Sequence, residues 1–174
     1  MPLSIPVITK YLTHTFVETG TYQGEAVQFA IQTGYREIHS VELNADMAAG
    51  CKARFKGNPA VHIYAGSSGV VLAGVLKTCT GPATIWLDAH PIIPKLTLAQ
   101  VPIEAELKAI AEAMPRLQIR AVLIDDMRVF SVEDQQWMEA RLREILPTAT
   151  ICRESHHIAT NDILVASMLP AAGQ

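Results

Sequence analysis

Thr15-Phe-Val-Glu-Thr-Gly-Thr-Tyr-Gln-Gly-Glu-Ala-Val-Gln-Phe-Ala30 is the stretch around which the rest of the chain is arranged. Phe16 and Val17 begin a short apolar strand that ends on an acid, Glu18. A tight turn with Gly20 and Gly24 then leads into an amphipathic segment. Glycine has no Cβ, so the backbone can turn sharply there and a ligand can approach it closely. The helix that follows would aim unpaired N–H groups at whatever sits over the turn. Strand, glycine turn and helix in that order open a nucleotide-type α/β pocket.

Short apolar runs alternate with helix-period segments along the rest of the chain, which predicts βαβ units around a largely parallel sheet. Strands are expected at 15–19, 37–43, 61–65, 83–87 and 121–124. The first helix covers about 24–33, with Val27, Ala30 and Ile31 on one face and Gly34 as its stop. Asn44 caps the next, which turns Ala48, Cys51 and Phe55 inward. Gly66-Ser-Ser-Gly69 opens a third. Pro102 suits the start of a helix carrying Ile103, Leu107, Ile110 and Met114. Ser131 and Asp134 resemble a capping box ahead of Trp137, Met138, Leu142 and Ile145. After Pro147 an antiparallel hairpin is expected, 149–155 turning near 159–162 into 163–168. No repeat or linker interrupts the pattern, so one domain over 1–174 is expected.

Composition narrows the partners. At 174 residues, 49% of them hydrophobic, the chain can bury a core of its own. A formal net charge of −3 without a basic stripe argues against a nucleic-acid backbone as the main partner. Three scattered cysteines, Cys51, Cys79 and Cys152, are poor material for a disulfide framework or a zinc site. With neither a signal-peptide pattern nor an apolar run of membrane length, a cytoplasmic protein without membrane contact is the expectation. A homodimer is compatible with the sequence.

In an open parallel sheet, ligands bind beyond the carboxyl ends of the strands. The five parallel strand ends are all polar: Glu18, Glu42, Gly66-Ser67-Ser68, Asp88-Ala-His90 and Asp125-Asp126. Glu42, about twenty residues past the glycine turn, stands where an acid accepts hydrogen bonds from a ribose. A carboxylate favoured by a helix start is the plainer reading. The turn reads Gly-Thr-Tyr-Gln-Gly, with Tyr22 where a dinucleotide turn has its middle glycine, which disfavours NAD. Glu18 at its edge would repel a pyrophosphate. A ligand with a positive centre fits better, and S-adenosylmethionine carries a sulfonium, an ammonium and an adenosine. Asp88, Asp125 and Asp126 are hard oxygen ligands able to converge on one divalent cation, Mg²⁺ above all. Alternatively, one or two of them hydrogen-bond helix starts or the following loop.

These residues resemble class I S-adenosylmethionine-dependent methyltransferases over roughly 15–130. Val-Glu-Thr-Gly-Thr-Tyr-Gln-Gly24 looks like their first motif and Val-Glu-Leu43 like the acid that follows it. The details are most similar to the metal-dependent O-methyltransferases of the catechol and caffeoyl-CoA type. The resemblance implies a Rossmann-like seven-stranded sheet of order 3-2-1-4-5-7-6, with helices on both faces and an antiparallel C-terminal hairpin. It implies cofactor binding by Glu18, Thr19, Gly20, Thr21, Tyr22, Gly24, Glu42, Ser67, Ser68 and Asp88. Metal ligation falls to Asp88, Asp125 and Asp126, and methyl transfer to the hydroxyl of a small-molecule acceptor. Trp86-Leu-Asp-Ala-His90 and Leu123-Ile-Asp-Asp-Met-Arg128 also resemble a group of small proteins of the same superfamily.

Two departures stand out. Catechol-type enzymes place a lysine base three residues after the first metal Asp, and this chain has Pro91 there. His90 is the nearest substitute, paired with Asp88 as the catalytic groups, since an imidazole suits general-base work near neutrality. Packing in the loop is the competing role for His90. No counterpart is read for the helical N-terminal extension that often covers the acceptor pocket. A catalytically inactive S-adenosylmethionine- or nucleotide-binding protein of the same fold is therefore the alternative. His156-His157 reads as a solvated pair, because adjacent strand residues face opposite ways. Arg128 reads as a structural ion pair or as a grip on an anionic substrate.

Overall fold

The computed structural model describes residues 3–91 and 93–170. Its elements run α1 (Ile5–Lys10), β1 (Thr15–Thr19), α2 (Glu25–Thr33), β2 (Glu37–Glu42), α3 (Ala45–Phe55), β3 (Val61–Ala65), α4 (Ser68–Thr78) and β4 (Ala83–Leu87). They continue with α5 (Ile103–Ala113), β5 (Ile119–Ile124), α6 (Val132–Ile145), β6 (Thr150–Glu154) and β7 (Ile163–Ser167). The strands form one seven-stranded sheet in the order β3-β2-β1-β4-β5-β7-β6. β1 to β5 are mutually parallel, while β7 lies antiparallel to both β5 and β6. Sheet order and hairpin are those expected from the sequence.

Successive side chains on a strand point to opposite faces, so apolar runs such as Ala83–Leu87 feed two cores at once. Val17, Ile85, Leu87, Val122 and Ile124 pack with α4, α5 and α6 on one face. Phe16, Trp86, Leu123 and Val165 pack with α1, α2 and α3 on the other. Trp86 is 1% exposed at the centre of the sheet, and burying a side chain of that kind is worth about 3 kcal/mol.

The helix limits follow their caps. Asn44 Oδ1 accepts the N–H groups of Asp46 and Met47, and Ser131 Oγ accepts that of Asp134. Gly34 ends α2 in the left-handed conformation at φ +98°. Three local expectations differ from the structure. Ile31 is only half-buried, and the inward face of α2 is Ala26, Val27 and Ala30. β5 begins at Ile119, two residues early. The N-terminal stretch, for which no element is predicted, forms α1, six residues long and too short to show a period. It buries Val7 and Ile8 in the core on that face of the sheet, and Lys10 and Tyr11 bond Glu154 at the end of β6.

Candidate active site

The glycine turn after β1 is held by main-chain bonds to β2. Gly20 and Thr21 both donate to the Val41 carbonyl, at 2.8 and 3.2 Å, and Gly24 donates back to Thr21 at 2.8 Å. Three residues of the turn have positive φ: Gly20 at +88°, Tyr22 at +49° and Gly24 at +79°. Only glycine fits at Gly20, where a Cβ would lie 2.3 Å from the Asp88 carbonyl oxygen at the end of β4. That close approach joins the glycine turn to the Asp88-Ala-His90 corner. Tyr22 is different: a non-glycine residue in the left-handed region carries strain, and its ring is 49% exposed beside the pocket.

Glu42 fastens the far side. Its Oε2 accepts Tyr22 N–H at 2.7 Å and its Oε1 accepts Asn44 N–H at 2.9 Å. Both carboxylate oxygens keep a second lone pair, and Glu42 lines the pocket. The positioning and the ligand-facing readings of this acid are thus compatible.

The pocket itself is a cavity of about 840 Å³ above the carboxyl ends of β1, β2 and β4. Among the residues expected to bind a cofactor, Gly20, Tyr22, Glu42, Ser67, Ser68 and Asp88 line it, and His90 and Asp126 join them. Glu18, Thr19, Thr21, Gly24 and Asp125 do not. Glu18 is 1% exposed, and burial, then the nearby charge of Asp88, pushes its carboxyl well above the usual range, against a hydrogen bond from Ser40. Glu18 is therefore set behind the turn and does not itself meet a ligand in the pocket. Thr19 and Thr21 face the interior, where Thr21 Oγ1 and Ser40 Oγ share a hydrogen bond. Gly24 packs on Phe55 and Cys51.

At the β4–β5 rim the three aspartates separate into two groups. Asp88 and Asp126 flank His90, whose Nε2 is 3.2 Å from Asp88 Oδ1 and 3.2 Å from Asp126 Oδ2. Burial opposes charging of this imidazole, but the carboxylates of Asp126 and Asp88 outweigh it and hold its pKa up at about 10. The two acids thus favour the charged form of the ring in this arrangement. Asp126 is correspondingly lowered, as His90 and Arg128 overcome its burial. Asp125 is fully buried behind them. Its Oδ1 accepts Asp126 N–H at 2.7 Å, and burial followed by the charges of Asp88 and Asp126 raises its pKa strongly.

Arg128 is a structural ion pair. Its guanidinium bridges Asp126 and Asp162, and its own N–H donates to Asp162 Oδ1 at 2.7 Å. His156 belongs to the same assembly. Its side chain is buried, Nε2 lies 2.9 Å from Asp162 Oδ2, and Nδ1 accepts the N–H groups of Ile158 and Ala159. The expectation of a solvated pair is wrong for His156, because β6 ends at Glu154 and strand alternation no longer applies. His157 is exposed.

Glu106 is the site residue that sequence reasoning missed. It is 1% exposed on the inner face of α5 and helps to line a cavity of about 10 Å³ with His90 and Asp125, room for about one water. Burial raises its carboxyl to about 7, despite the nearby hydroxyls of Ser68 and Thr19. Glu106 Oε1, Ser68 Oγ, Asp125 Oδ2, Glu18 Oε2 and His90 Nε2 are buried without a hydrogen-bond partner among the described residues. Buried polar atoms are rarely left unpaired in this way.

No protein-family model matches the sequence, and no curated protein does. Solved structures do. An O-methyltransferase from Bacillus cereus in complex with S-adenosylhomocysteine is 12% identical, with a TM-score of 0.62 over 94% of this chain and 78% of that one. TomG, an O-methyltransferase from Streptomyces achromogenes in complex with S-adenosylmethionine, is 14% identical, with a TM-score of 0.63 over 95% and 78%. A proposed rRNA methylase from Clostridium thermocellum is 10% identical, with a TM-score of 0.61 over 94% of each chain. The chain has the class I S-adenosylmethionine-dependent methyltransferase fold. No helix among the described residues is long and apolar enough to cross a membrane.

Proposed function

We propose that this protein is an S-adenosylmethionine-dependent methyltransferase acting on the hydroxyl of a small molecule. One observation carries the reading: a single pocket of about 840 Å³ brings the Gly20 turn, Glu42 and Ser67-Ser68 to one side and Asp88, His90 and Asp126 to the other. The first group suits an adenosine and its methionine tail. Glu42 offers its free lone pairs to ribose hydroxyls, Ser67 and Ser68 border the adenine, and the Gly20 backbone allows close approach.

In the reaction the acceptor oxygen attacks the sulfonium methyl in line. A C–O bond forms, the S–C bond breaks with its electron pair going to sulfur, and the hydroxyl proton passes to the Asp88 carboxylate. Holding the two reactants in one cavity supplies much of the acceleration. The carboxylates of Asp88, Asp125 and Asp126 are of the right chemistry for a divalent cation, and the unpartnered Asp125 Oδ2 and His90 Nε2 mark donors in need of a partner. A cation there would lower the pKa of the acceptor hydroxyl. The net charge of −3 and the absence of a basic stripe favour a small acceptor over a nucleic acid.

Transfer of label from methyl-labelled S-adenosylmethionine to a panel of hydroxylated acceptors, with Asp88→Ala as control, tests the reading. Transfer abolished by the substitution is expected. Pro91 in place of the lysine base favours the second reading of a binding protein without catalysis. That reading gains if the cofactor binds but no acceptor across the panel is methylated.

A further inference from the structure

The geometry points to a three-donor cation site made of Asp88 Oδ1, His90 Nε2 and Asp126 Oδ2, selective for a borderline divalent ion such as Mn²⁺, Fe²⁺, Co²⁺ or Zn²⁺ over Mg²⁺. It differs from the all-aspartate set in its ligands and in its ion. Although it lies on the rim of the proposed methyl-transfer pocket, ion binding requires no methyl transfer.

Spacing is the first argument. The three donor atoms lie within 4.8 Å of one another, and Nε2 is 3.2 Å from each oxygen. With metal–donor bonds of about 2.1 Å, neighbouring donors stand about 3.0 Å apart in an octahedron and about 3.4 Å apart in a tetrahedron. Both nitrogen–oxygen distances fall between these, and the two oxygens lie within 4.8 Å of each other, close enough for one ion to draw the three donors together.

The second argument is His90 itself. Its side chain is only 9% exposed and its Nε2 aims between the two carboxylates, yet its angles make no hydrogen bond to either. The other ring nitrogen, Nδ1, is 3.2 Å from the Pro91 carbonyl oxygen. A histidine that donates Nδ1–H to a backbone carbonyl presents the Nε2 lone pair to a metal, the usual outer arrangement of a ligating imidazole.

The supports behind the oxygens point the same way. Asp126 sits at φ +55° in the left-handed region, and its Oδ2 faces His90 Nε2. Arg128 holds Asp126 Oδ1, leaving Oδ2 for the ion, and Asp162 holds Arg128 in turn. Asp125 is bonded to the Asp126 N–H and does not join this group. The neighbouring cluster of Asp125, Asp126, His156 and Asp162 already has the Arg128 cation and a bonded His156, so its charge needs no metal. Once an entering ion displaces the Nε2 proton to solvent, two carboxylates and one imidazole balance a divalent charge. The nitrogen donor disfavours Mg²⁺, which takes oxygen ligands and dehydrates reluctantly.

Tag-free, metal-stripped protein titrated calorimetrically with MnCl₂, ZnCl₂ and MgCl₂ tests the site without any cofactor. One Mn²⁺ or Zn²⁺ per chain is expected, bound at least tenfold more tightly than Mg²⁺. Pulsed electron paramagnetic resonance of the Mn²⁺-loaded wild type should show coupling to one imidazole nitrogen, a readout that needs no variant. His90→Ala should lose that coupling and at least tenfold of the affinity, whereas Glu133→Gln, at an exposed acid on α6 outside the cluster, should retain both within about threefold. Circular dichroism establishes that both variants are folded. Absence of ion binding at millimolar concentration, a Mg²⁺ preference, or a nitrogen coupling that survives in His90→Ala would each overturn the site. A separate titration with S-adenosylhomocysteine keeps the two ideas apart: ion binding without cofactor binding sinks the methyltransferase reading alone, and the reverse sinks this site alone.

Discussion

Replacing Gly20 by alanine should cost far more than replacing Gly34, although both have left-handed backbones. At φ +98° with no atom within 4 Å of an added Cβ, Gly34→Ala meets only conformational strain, about 1–2 kcal/mol. Gly20→Ala adds a steric conflict, because the new Cβ would lie 2.3 Å from the Asp88 carbonyl oxygen and 2.9 Å from its carbon. That carbonyl must retreat by roughly 1 Å to reach ordinary contact, and it belongs to backbone anchored through Asp88 N–H to the Thr19 carbonyl. Forced overpacking of this kind costs about 1–3 kcal/mol more. The total for Gly20→Ala is then about 2–5 kcal/mol. Urea denaturation of both variants and the wild type measures the difference, and S-adenosylhomocysteine titration should show the Gly20 variant impaired while Gly34→Ala binds normally. If the two variants unfold within 0.5 kcal/mol of each other (about the limit for separating such values), the close approach of the turn to the β4 corner is not as described.

Glu42→Ala should weaken S-adenosylhomocysteine binding at least tenfold, since it removes the pocket acid and releases the Tyr22 N–H; Asn44→Ala should instead lose a helix cap worth about 1 kcal/mol and leave affinity nearly intact. For Glu106 the folded pKa of about 7 lies above its unfolded value, so its contribution is whole in acid and is lost as pH rises through 7. Glu106→Gln should therefore gain on the wild type with rising pH, by up to about 3 kcal/mol at pH 8, in melts run with chelator at pH 5 and 8. Glu37 has the opposite sign. Burial opposes its ionisation, but hydrogen bonds from Thr80 N–H, Thr15 and Thr80 Oγ1 bring its pKa down to about 2. Its contribution is present above its unfolded pKa and is lost as pH falls toward 2, so the penalty of Glu37→Gln, about 1–2 kcal/mol after allowing for solvent, should vanish between pH 5 and 2.

The sheet was legible because its strands are short apolar runs closed by polar ends, and hairpin and helix limits were legible from Gly34, Asn44, Pro102 and Ser131. The pocket rim was legible in outline for a similar reason: polar residues at Glu42, Ser67, Asp88 and Asp126 fall at strand ends, where topology gathers them. Depth was not. Glu18 and Thr19 close β1 and Thr21 stands in the turn, yet all three face inward, and one residue of rotation in a turn with three positive φ values decides which side chain meets the cavity. His156 was misread because its strand stops two residues earlier. Glu106 did leave a signal: it interrupts the apolar stripe of Ile103, Leu107 and Ile110, and an acid on the buried face of a helix needs a partner or a purpose. Which donors sit together at the β4–β5 rim depends on side-chain direction, and adjacent Asp125 and Asp126 point to different places.

Direct titration of the protein with S-adenosylhomocysteine and, separately, with NAD is the most direct measurement of the central claim. Saturable binding of S-adenosylhomocysteine at one site per chain, lost in Glu42→Ala and without comparable affinity for NAD, is the predicted result. No binding of S-adenosylhomocysteine at millimolar concentration, or a clear preference for NAD, would contradict it.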